Sequence, residues 1–178
     1  MDESLRQKAG NVTLAVFDVD GVMTDGSIMF DDNGTEYKSF HAHDGLGLVM
    51  LQAAGVTVAI VSSRVSGVVS KRMSELGIKH VLQGVKDKKQ ALAGLLQELD
   101  IEPGLAAFVG DDLIDLPAMS LAGLAVAVAN ARPQVIARAD WTTSAPGGQG
   151  GVREICEMLL DARGKLADAM QKYTGPSP

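Results

Sequence analysis

Short apolar runs alternate along this chain with longer segments in which apolar positions recur every three or four residues. The short runs are typical of buried strands, and the longer segments are typical of helices that pack on one face. The predicted strands are Leu14–Val19, Val56–Val61, His80–Leu82, Ala106–Val109 and Leu124–Val128. The predicted helices are Leu46–Ala54, Gly67–Leu76, Lys88–Leu99 and Ile114–Ala122, with Gly77 and Gly123 as C-terminal caps. Strands separated by single helices indicate right-handed crossovers, and hence an α/β fold with a three-layer, doubly wound parallel sheet.

One segment after the first strand breaks this alternation. Two short β-like runs flank Asn33-Gly34, and Asn-Gly between such runs is a strong signal for a β-hairpin. We therefore predict a small hairpin insertion at about residues 27–40. Since a lone two-stranded hairpin is barely stable in water, we expect it to pack on another surface, such as a second subunit. The alternative is a solvent-exposed excursion.

The C-terminal part predicts a loop, a helix and a tail. The glycine-rich loop at residues 147–151 is interpreted as a flexible connection, because it does not open a helix directly after a strand as phosphate-binding loops do. A long amphipathic helix is predicted from about Val152 to Gln171, within a C-terminal segment of about residues 152–178. The tail from Tyr173 to Pro178 is predicted to be non-helical and mobile.

Composition narrows the classes of protein. A chain of 178 residues is expected to form a single domain with a proper core. The net charge of −6 and the lack of a basic cluster beside aromatic residues argue against a nucleic-acid partner. The single Cys156 excludes an internal disulfide and suits a reducing compartment. With neither a signal-peptide pattern nor an apolar stretch of about 18 residues, we expect a cytoplasmic protein without a membrane partner.

Two acidic motifs follow apolar runs, and they carry the strongest chemical signal. The first is Asp18-Val19-Asp20-Gly21, and the second is Gly110-Asp111-Asp112. Carboxylates just past parallel strands lie at the edge of the sheet where open α/β folds bind ligands. Converging carboxylates repel one another, and a hard divalent cation with oxygen ligands relieves that repulsion. The motifs therefore predict a Mg²⁺-dependent enzyme that handles phosphate, with Asp111 as the strongest candidate ligand in the second motif.

Asp18 and Asp20 suit two complementary roles in phosphoryl transfer. Two residues apart in an extended chain, they lie on the same face, so one can attack phosphorus while the other transfers a proton. Gly21 lets the backbone turn sharply beside them. Asp-x-Asp also occurs as a metal motif in sugar transferases and in solvated turns, but the buried strand before it favours the catalytic interpretation.

Other candidates remain open at this level. Ser62 ends a predicted strand, where its hydroxyl can donate to a phosphoryl oxygen or cap the next helix, a role for which Ser66 competes. A lysine near the cationic start of a helix suggests an anionic partner, but the pattern does not separate Lys88 from Lys86 and Lys89. Asp115 could bind metal or cap the helix that contains Leu116 and Met119, and the pattern leaves the ligand role of both Asp112 and Asp115 undecided.

The order of these motifs resembles the haloacid dehalogenase superfamily of phosphohydrolases. The resemblance rests on Asp-x-Asp-Gly, the strand-terminal Ser, the Lys and Gly-Asp-Asp-x-x-Asp, from about Leu14 to Asp115. The hairpin, the segment 43–47, the segment 84–88 and Gly150-Gly151-Val152-Arg153-Glu154 extend it over nearly the whole chain. They are similar to a branch that removes phosphate from an eight-carbon sugar acid in lipopolysaccharide precursor synthesis of Gram-negative bacteria.

The resemblance implies a role for each matched residue. Asp18 is the nucleophile that forms an aspartyl-phosphate, and also a Mg²⁺ ligand. Asp20 is the general acid/base and touches the metal through its carbonyl, while Asp111 completes the ligand set. Ser62 and Lys88 hold the phosphoryl group, so the resemblance selects Lys88 over its neighbours.

The resemblance also implies how substrate binds and how subunits assemble. The substrate contacts are Asp20, His41, Ala42, His43, Asp44, Gly45, Arg64, Arg72 and Lys88. The chain departs from the branch at His43 and Val49, where many members carry Arg, and at Ser62-Ser63, where Thr-Gly is commoner. The branch has no large cap domain, and in its homotetramer the hairpin of one subunit caps the neighbouring site, which the C-terminal tail can also reach.

Two other functions fit parts of the same pattern. A phosphatase for a nine-carbon sialic-type acid phosphate is closely related, but that group tends to carry Glu where this chain has Arg64. A receiver-like phospho-acceptor module uses similar residues, but its acidic pair comes first and its acceptor Asp lies mid-chain. A scaffold without activity is disfavoured because all five chemical positions are filled.

Overall fold

A computed structural model of the chain describes residues 1–174. Six parallel strands form one sheet in the order β5-β4-β1-β6-β7-β8, and β2 pairs with β3 in a separate antiparallel hairpin. The strands are β1 (Leu14–Phe17), β2 (Met29–Phe30), β3 (Glu36–Tyr37), β4 (Thr57–Val61), β5 (His80–Leu82), β6 (Ala106–Gly110), β7 (Leu124–Ala127) and β8 (Trp141–Thr142). The predicted parallel sheet is thus confirmed, and β8 is an addition, since two residues carry too little pattern to predict a strand.

Helices cover both faces of the sheet. Every residue of β1 and β6 is buried, and because neighbouring strand residues point to opposite faces, neither face is open to solvent there. The helices are α1 (Glu3–Gly10), α2 (Ala42–Ala53), α3 (Gly67–Glu75), α4 (Lys88–Leu99), α5 (Leu116–Met119), α6 (Pro133–Ile136), α7 (Gly151–Ala162) and α8 (Leu166–Thr174). Helix α7 packs on α2 and α1, whereas α4 packs on α5. Within residues 1–174, no helix has the length and apolar character that a membrane crossing requires.

The hairpin forms where Asn33-Gly34 predicted it. Met29 pairs with Tyr37 and Phe30 with Glu36, and Asp31 Oδ1 accepts hydrogen bonds from two amides of the connecting loop. The side chains at the hairpin's outer surface are unusually apolar, and about half of each is exposed. They are Ile28, Met29, Phe30 and Tyr37.

The prediction of one long C-terminal helix is wrong. Gly164 adopts φ +65°, and the chain there forms a Schellman motif in which Gly164 N–H donates to Asp161 O and Lys165 N–H to Leu160 O. This ends α7 and lets α8 start in a new direction. The predicted non-helical tail is also wrong at Tyr173 and Thr174, which belong to α8, and its remainder lies outside the described residues.

Gly123 and Gly77 follow helices for different reasons. Gly77 has φ +70° and ends α3 as predicted. Gly123 is not a left-handed cap, because its φ is not positive. Instead, a Cβ at this position would lie 2.3 Å from the carbonyl oxygen of Gly104. Close backbone approach at the start of β7 therefore requires this glycine.

Substituting Gly123 tests this packing. We expect Gly123→Ala to lower the free energy of unfolding by about 1–3 kcal/mol, since the added methyl group meets backbone that cannot rotate away. Gly94→Ala is the matched control, because Gly94 lies in α4 and a methyl group there would have no atom within 4 Å apart from its chain neighbours and the backbone of its own helix. That change should raise stability by about 0.5–1 kcal/mol. Urea titrations of both variants make the comparison, and similar midpoints would contradict the expected opposite signs.

Candidate active site

The site forms where three neighbouring strands end. Strand β1 lies between β4 and β6, and the chain fills one side of it with β4 and β5 before it crosses to β6. Ligands bind in open α/β sheets at such a switch in strand order. The residue that follows each strand is polar: Asp18 after β1, Ser62 after β4 and Asp111 after β6.

These strand ends open into a cavity of about 360 Å³. Six of the residues predicted from the sequence line it: Asp18, Asp20, Ser62, Arg64, Lys88 and Asp111. They come from four separate parts of the chain, so the fold brings together the chemical groups that the motifs predicted.

Lys88 joins two of the strand ends by ion pairs. It is the first residue of α4, is 3% exposed, and its Nζ lies 2.8 Å from Asp18 Oδ1 and 2.6 Å from Asp115 Oδ1. Burial on its own lowers the pKa of this ammonium, but the two carboxylates outweigh burial and raise the pKa. Lys86 and Lys89 are exposed. The anionic partner that a lysine at a helix start suggested therefore lies within the chain itself.

Asp115 holds the second acidic motif in shape. Its carboxylate is fully buried, and Oδ2 accepts hydrogen bonds from the amides of Asp111 at 3.0 Å and Asp112 at 3.1 Å. A Cβ on Gly110 would lie 2.4 Å from Asp115 Cβ, so this approach requires glycine. Sequence reasoning left Asp115 between ligand and cap and did not include it among the site residues. The signal that could have included Asp115 was its place as the last residue of the motif Gly-Asp-Asp-x-x-Asp.

Gly21 allows the two acidic motifs to meet. Its φ is +98°, and a Cβ there would lie 2.1 Å from Asp111 Oδ2. The sharp turn predicted from the first motif is confirmed, and it has a second purpose, because any side chain at this position would displace the Asp111 carboxylate.

Asp18 and Asp111 fit a divalent cation. One carboxylate oxygen from each, with one from Asp115, lie within 4.8 Å of one another. Within the described residues Asp111 Oδ1 is buried and accepts no hydrogen bond, whereas both Asp115 oxygens are already engaged. Burial, with the neighbouring carboxylates, raises the pKa of Asp18 to about 6 and the pKa of Asp111 to about 7. A hard cation with oxygen ligands would offset that repulsion.

Ser62 faces the cavity and does not cap α3. The capping side chain is Ser66, whose Oγ accepts from the amide of Val69. Ser62 is buried, and its Oγ accepts a hydrogen bond of 3.3 Å from the amide of Arg64. Its hydroxyl hydrogen is thus available to a ligand in the cavity.

Two residues of the hairpin that sequence reasoning missed reach the site. Lys38 pairs with Asp20, and Glu36 pairs with Arg64 at 2.9 Å and accepts from the hydroxyl of Ser66. The available signal was the spacing of Glu36 and Lys38, which lie two residues apart and so share one face of an extended segment. The prediction of the turn did not use this spacing.

The other predicted substrate contacts lie elsewhere in the described structure, outside the lining of this cavity. His41, Ala42, His43, Asp44 and Gly45 form the start of α2, where the rings of His41 and His43 stand edge to face with centroids 4.9 Å apart. Asp44 is buried and accepts from the amide of Arg153 at 2.8 Å. Arg72 lies against Gly45, since a Cβ there would be 2.4 Å from Arg72 Nη2.

The glycine-rich loop is not the flexible connection that its composition suggested. Gly147 N–H donates to Asn130 Oδ1 at 2.7 Å, and Gly148 N–H donates to Val22 O at 2.9 Å. A Cβ on Gly147 would lie 1.8 Å from Gly21 O. The loop therefore packs directly against the turn that carries Asp20 and Gly21.

Comparison with known proteins agrees with this geometry. Residues 74–155 match the family of haloacid dehalogenase-like hydrolases. Over 162 residues the chain is 47% identical to the 3-deoxy-D-manno-octulosonate 8-phosphate phosphatase of Escherichia coli, covering 91% of this chain and 86% of that protein. The chain belongs to this phosphatase family. The resemblance stated from the motifs is thus confirmed.

Solved structures of family members have the same fold. The phosphatase of Moraxella catarrhalis, determined with magnesium, phosphate and KDO, superposes with a TM-score of 0.95 at 41% identity, covering 98% of this chain and all of that one. The cobalt-bound phosphatase of Haemophilus influenzae gives 0.88 at 39% identity, covering 92% of this chain and 99% of that one. Haloacid dehalogenase-like phosphatases of this family use Mg²⁺, and Asp18 and Asp111 of this chain present a suitable oxygen pair.

The raised pKa values predict the pH dependence of the metal-free protein. Since the folded state binds protons at Asp18 and Asp111 more tightly than the unfolded state, stability should fall as pH rises from about 4 to about 7. Asp111→Asn should flatten this slope and raise the free energy of unfolding at pH 8 by about 2 kcal/mol. Thermal melts in chelator provide the measurement.

Asp112→Asn is the control for charge alone, because Asp112 is the exposed neighbour of Asp111. It should change the slope far less. At pH 8, added Mg²⁺ should raise the melting temperature of the unsubstituted protein and of Asp112→Asn, but not of Asp111→Asn. If stability depends on pH equally in Asp111→Asn and Asp112→Asn, the repulsion between carboxylates is not concentrated at Asp111.

Proposed function

We propose that this chain hydrolyses 3-deoxy-D-manno-octulosonate 8-phosphate to the eight-carbon sugar acid and phosphate, in lipopolysaccharide precursor synthesis. The observation that carries this proposal is the buried Asp18 carboxylate, which lies at a strand end between Lys88 and the unpartnered oxygen of Asp111. The identity of 47% to a phosphatase of that name supports the substrate.

The reaction proceeds in two displacements at phosphorus. An Asp18 oxygen bonds to phosphorus as the bond to the sugar oxygen breaks, and Asp20, which starts as the carboxylic acid, gives its proton to the departing sugar oxygen. Water then bonds to phosphorus as the bond to Asp18 breaks, and Asp20 takes the proton from the water. At the end Asp18 is again a carboxylate and Asp20 is again a carboxylic acid, so the net change is hydrolysis of one ester bond.

The surrounding cations hold the reacting groups and offset charge. Lys88 fixes Asp18 Oδ1 and presents a positive charge to the phosphoryl oxygens, to which Ser62 can donate a hydrogen bond. Asp18, Asp20 and Asp111 would hold Mg²⁺, which would supply further positive charge beside the phosphoryl group.

Arg64 is the proposed partner of the sugar-acid carboxylate. A guanidinium binds a carboxylate through paired hydrogen bonds, and Arg64 lines the cavity. Glu36 already orients it through one terminal nitrogen at 2.9 Å. His41–Gly45 and Arg72 are proposed as further contacts to the substrate. Any change in substrate affinity relative to the branch is attributed to His43 and Val49, which stand where many members carry Arg.

The proposed assembly is a cytoplasmic homotetramer of single-domain subunits in which each hairpin caps a neighbouring site. Support comes from the half-exposed apolar surface of Ile28, Met29, Phe30 and Tyr37 on a hairpin of only two strands. Such a surface is unfavourable in water and suits contact with another subunit.

Phosphate release tests the substrate. With Mg²⁺, we expect turnover of the eight-carbon sugar-acid 8-phosphate to exceed that of a nine-carbon sialic-type acid 9-phosphate, because Arg64 stands where the latter group tends to carry Glu. Chelator should stop both reactions. Faster turnover of the nine-carbon compound would reject the assigned substrate while leaving phosphatase activity in place.

Substituting the proposed nucleophile tests the chemistry. Asp18→Asn removes the attacking charge without changing volume, and should reduce phosphate release by at least about 10⁴-fold while the thermal midpoint is kept or raised. The control is Asp25→Asn, since Asp25 is an exposed carboxylate in the same turn. Near-normal turnover by Asp18→Asn would exclude Asp18 as the nucleophile.

A further inference from the structure

The end of the hairpin turns a strip of polar residues toward the site. From β3 onward, Glu36, Lys38 and Phe40 are half-buried, whereas Tyr37 and Ser39 are exposed. This is the two-residue period of an extended chain with one face inward. The inward face therefore carries an acid, a base and an aromatic residue in succession, and the first two lie beside the cavity.

The buried part of Lys38 is its charged side chain. That side chain is 1% exposed, and a buried ammonium is costly unless a carboxylate pairs with it. Lys38 Nζ donates to Asp20 Oδ1 and lies 3.5 Å from Glu36 Oε1. Because Met29, Phe30 and Tyr37 of the hairpin's strands are exposed, apolar packing does not explain why its lysine points inward.

The contact leaves the two Asp20 oxygens in different surroundings. Oδ1 is held by Lys38, whereas Oδ2 lies 3.7 Å from Arg64 Nε, beyond normal hydrogen-bond distance. Glu36 pairs with a terminal nitrogen of the same guanidinium at 2.9 Å. Oδ2 is thus the oxygen left to accept and release a proton.

We propose that Lys38 is a positioning residue for Asp20, fixing Oδ1 so that Oδ2 faces the scissile oxygen, and that it links the hairpin to proton transfer. The inference rests on the proposed function, since it assigns Asp20 the proton-transfer role. Lys38 itself need not touch substrate. Two other roles are distinguishable from this one: a cation that binds the sugar-acid carboxylate, and a pair that merely anchors the hairpin.

Dependence on the leaving group separates these roles. A poorly acidic alcohol needs a proton in order to leave, whereas 4-nitrophenolate leaves without one. The substrates are phenyl phosphate, 4-nitrophenyl phosphate and an alkyl phosphate monoester, none with a carboxylate. The measured quantity is kcat/KM, which reports the first displacement, in which Asp20 acts as the acid. The enzyme is the full chain with Mg²⁺.

Lys38→Met should lose about 10- to 100-fold in kcat/KM on the alkyl and phenyl esters, and less than about threefold on the 4-nitrophenyl ester. Lys38→Arg should recover most of the loss, because it restores a cationic donor. The matched control Lys79→Met removes an exposed lysine and should change neither value. Combining Lys38→Met with Asp20→Asn should be no worse than Asp20→Asn alone.

Several results would overturn the proposal. An equal loss on all three esters indicates a structural anchor, and no loss on any of them indicates that Lys38 instead binds the sugar-acid carboxylate. If the losses in kcat/KM are additive in the double variant, Lys38 does not act through Asp20. If Lys38→Met does not fold by circular dichroism, Lys38→Gln replaces it with the same expected pattern. Because these esters lack the sugar acid, failure of the assigned substrate and failure of the Lys38 role give different results.

Discussion

The buried ion pairs of Lys88 are the interaction on which the rest of the site depends. One ammonium faces Asp18 on one side and Asp115 on the other, and so it fixes the ends of β1 and β6 relative to α4. With Asp111 close by, three carboxylates share one cation, which leaves the centre negative. The fold thus neutralises enough charge to assemble, and leaves enough to attract a divalent metal ion.

Sequence reasoning located the site because the carboxyl ends of parallel strands lie at the same edge of a sheet, so residues that follow different strands come together there. An apolar run fixes where a strand ends, and the ends of β1, β4 and β6 meet at one edge, so Asp18, Ser62 and Asp111 followed directly. It could not choose Lys88 from its neighbours by pattern alone, since the choice depends on contact with an acid 70 positions earlier. The family resemblance supplied what local pattern lacked.

Each failed or missed prediction has its own physical cause. Composition described the glycine-rich loop as flexible, but small residues also permit backbone contact, and Gly147 is used for that purpose. The helix predicted to Gln171 ignored Gly164, whose left-handed backbone ends α7. Lys38 was missed because the hairpin was interpreted from its turn, whereas the contact of Lys38 with Asp20 depends on which face of the extended segment is inward.

The contact between Gly147 and Gly21 has a consequence for how such proteins can diverge. The two glycines are 126 positions apart, yet a methyl group on Gly147 would overlap the carbonyl oxygen of Gly21. Exchanging the C-terminal third between distant relatives would therefore combine a loop with a turn to which it is not fitted. Chimeras that fold should take the Gly21 turn and the Gly147 loop from the same parent, because the two segments must fit each other although they are far apart in the sequence.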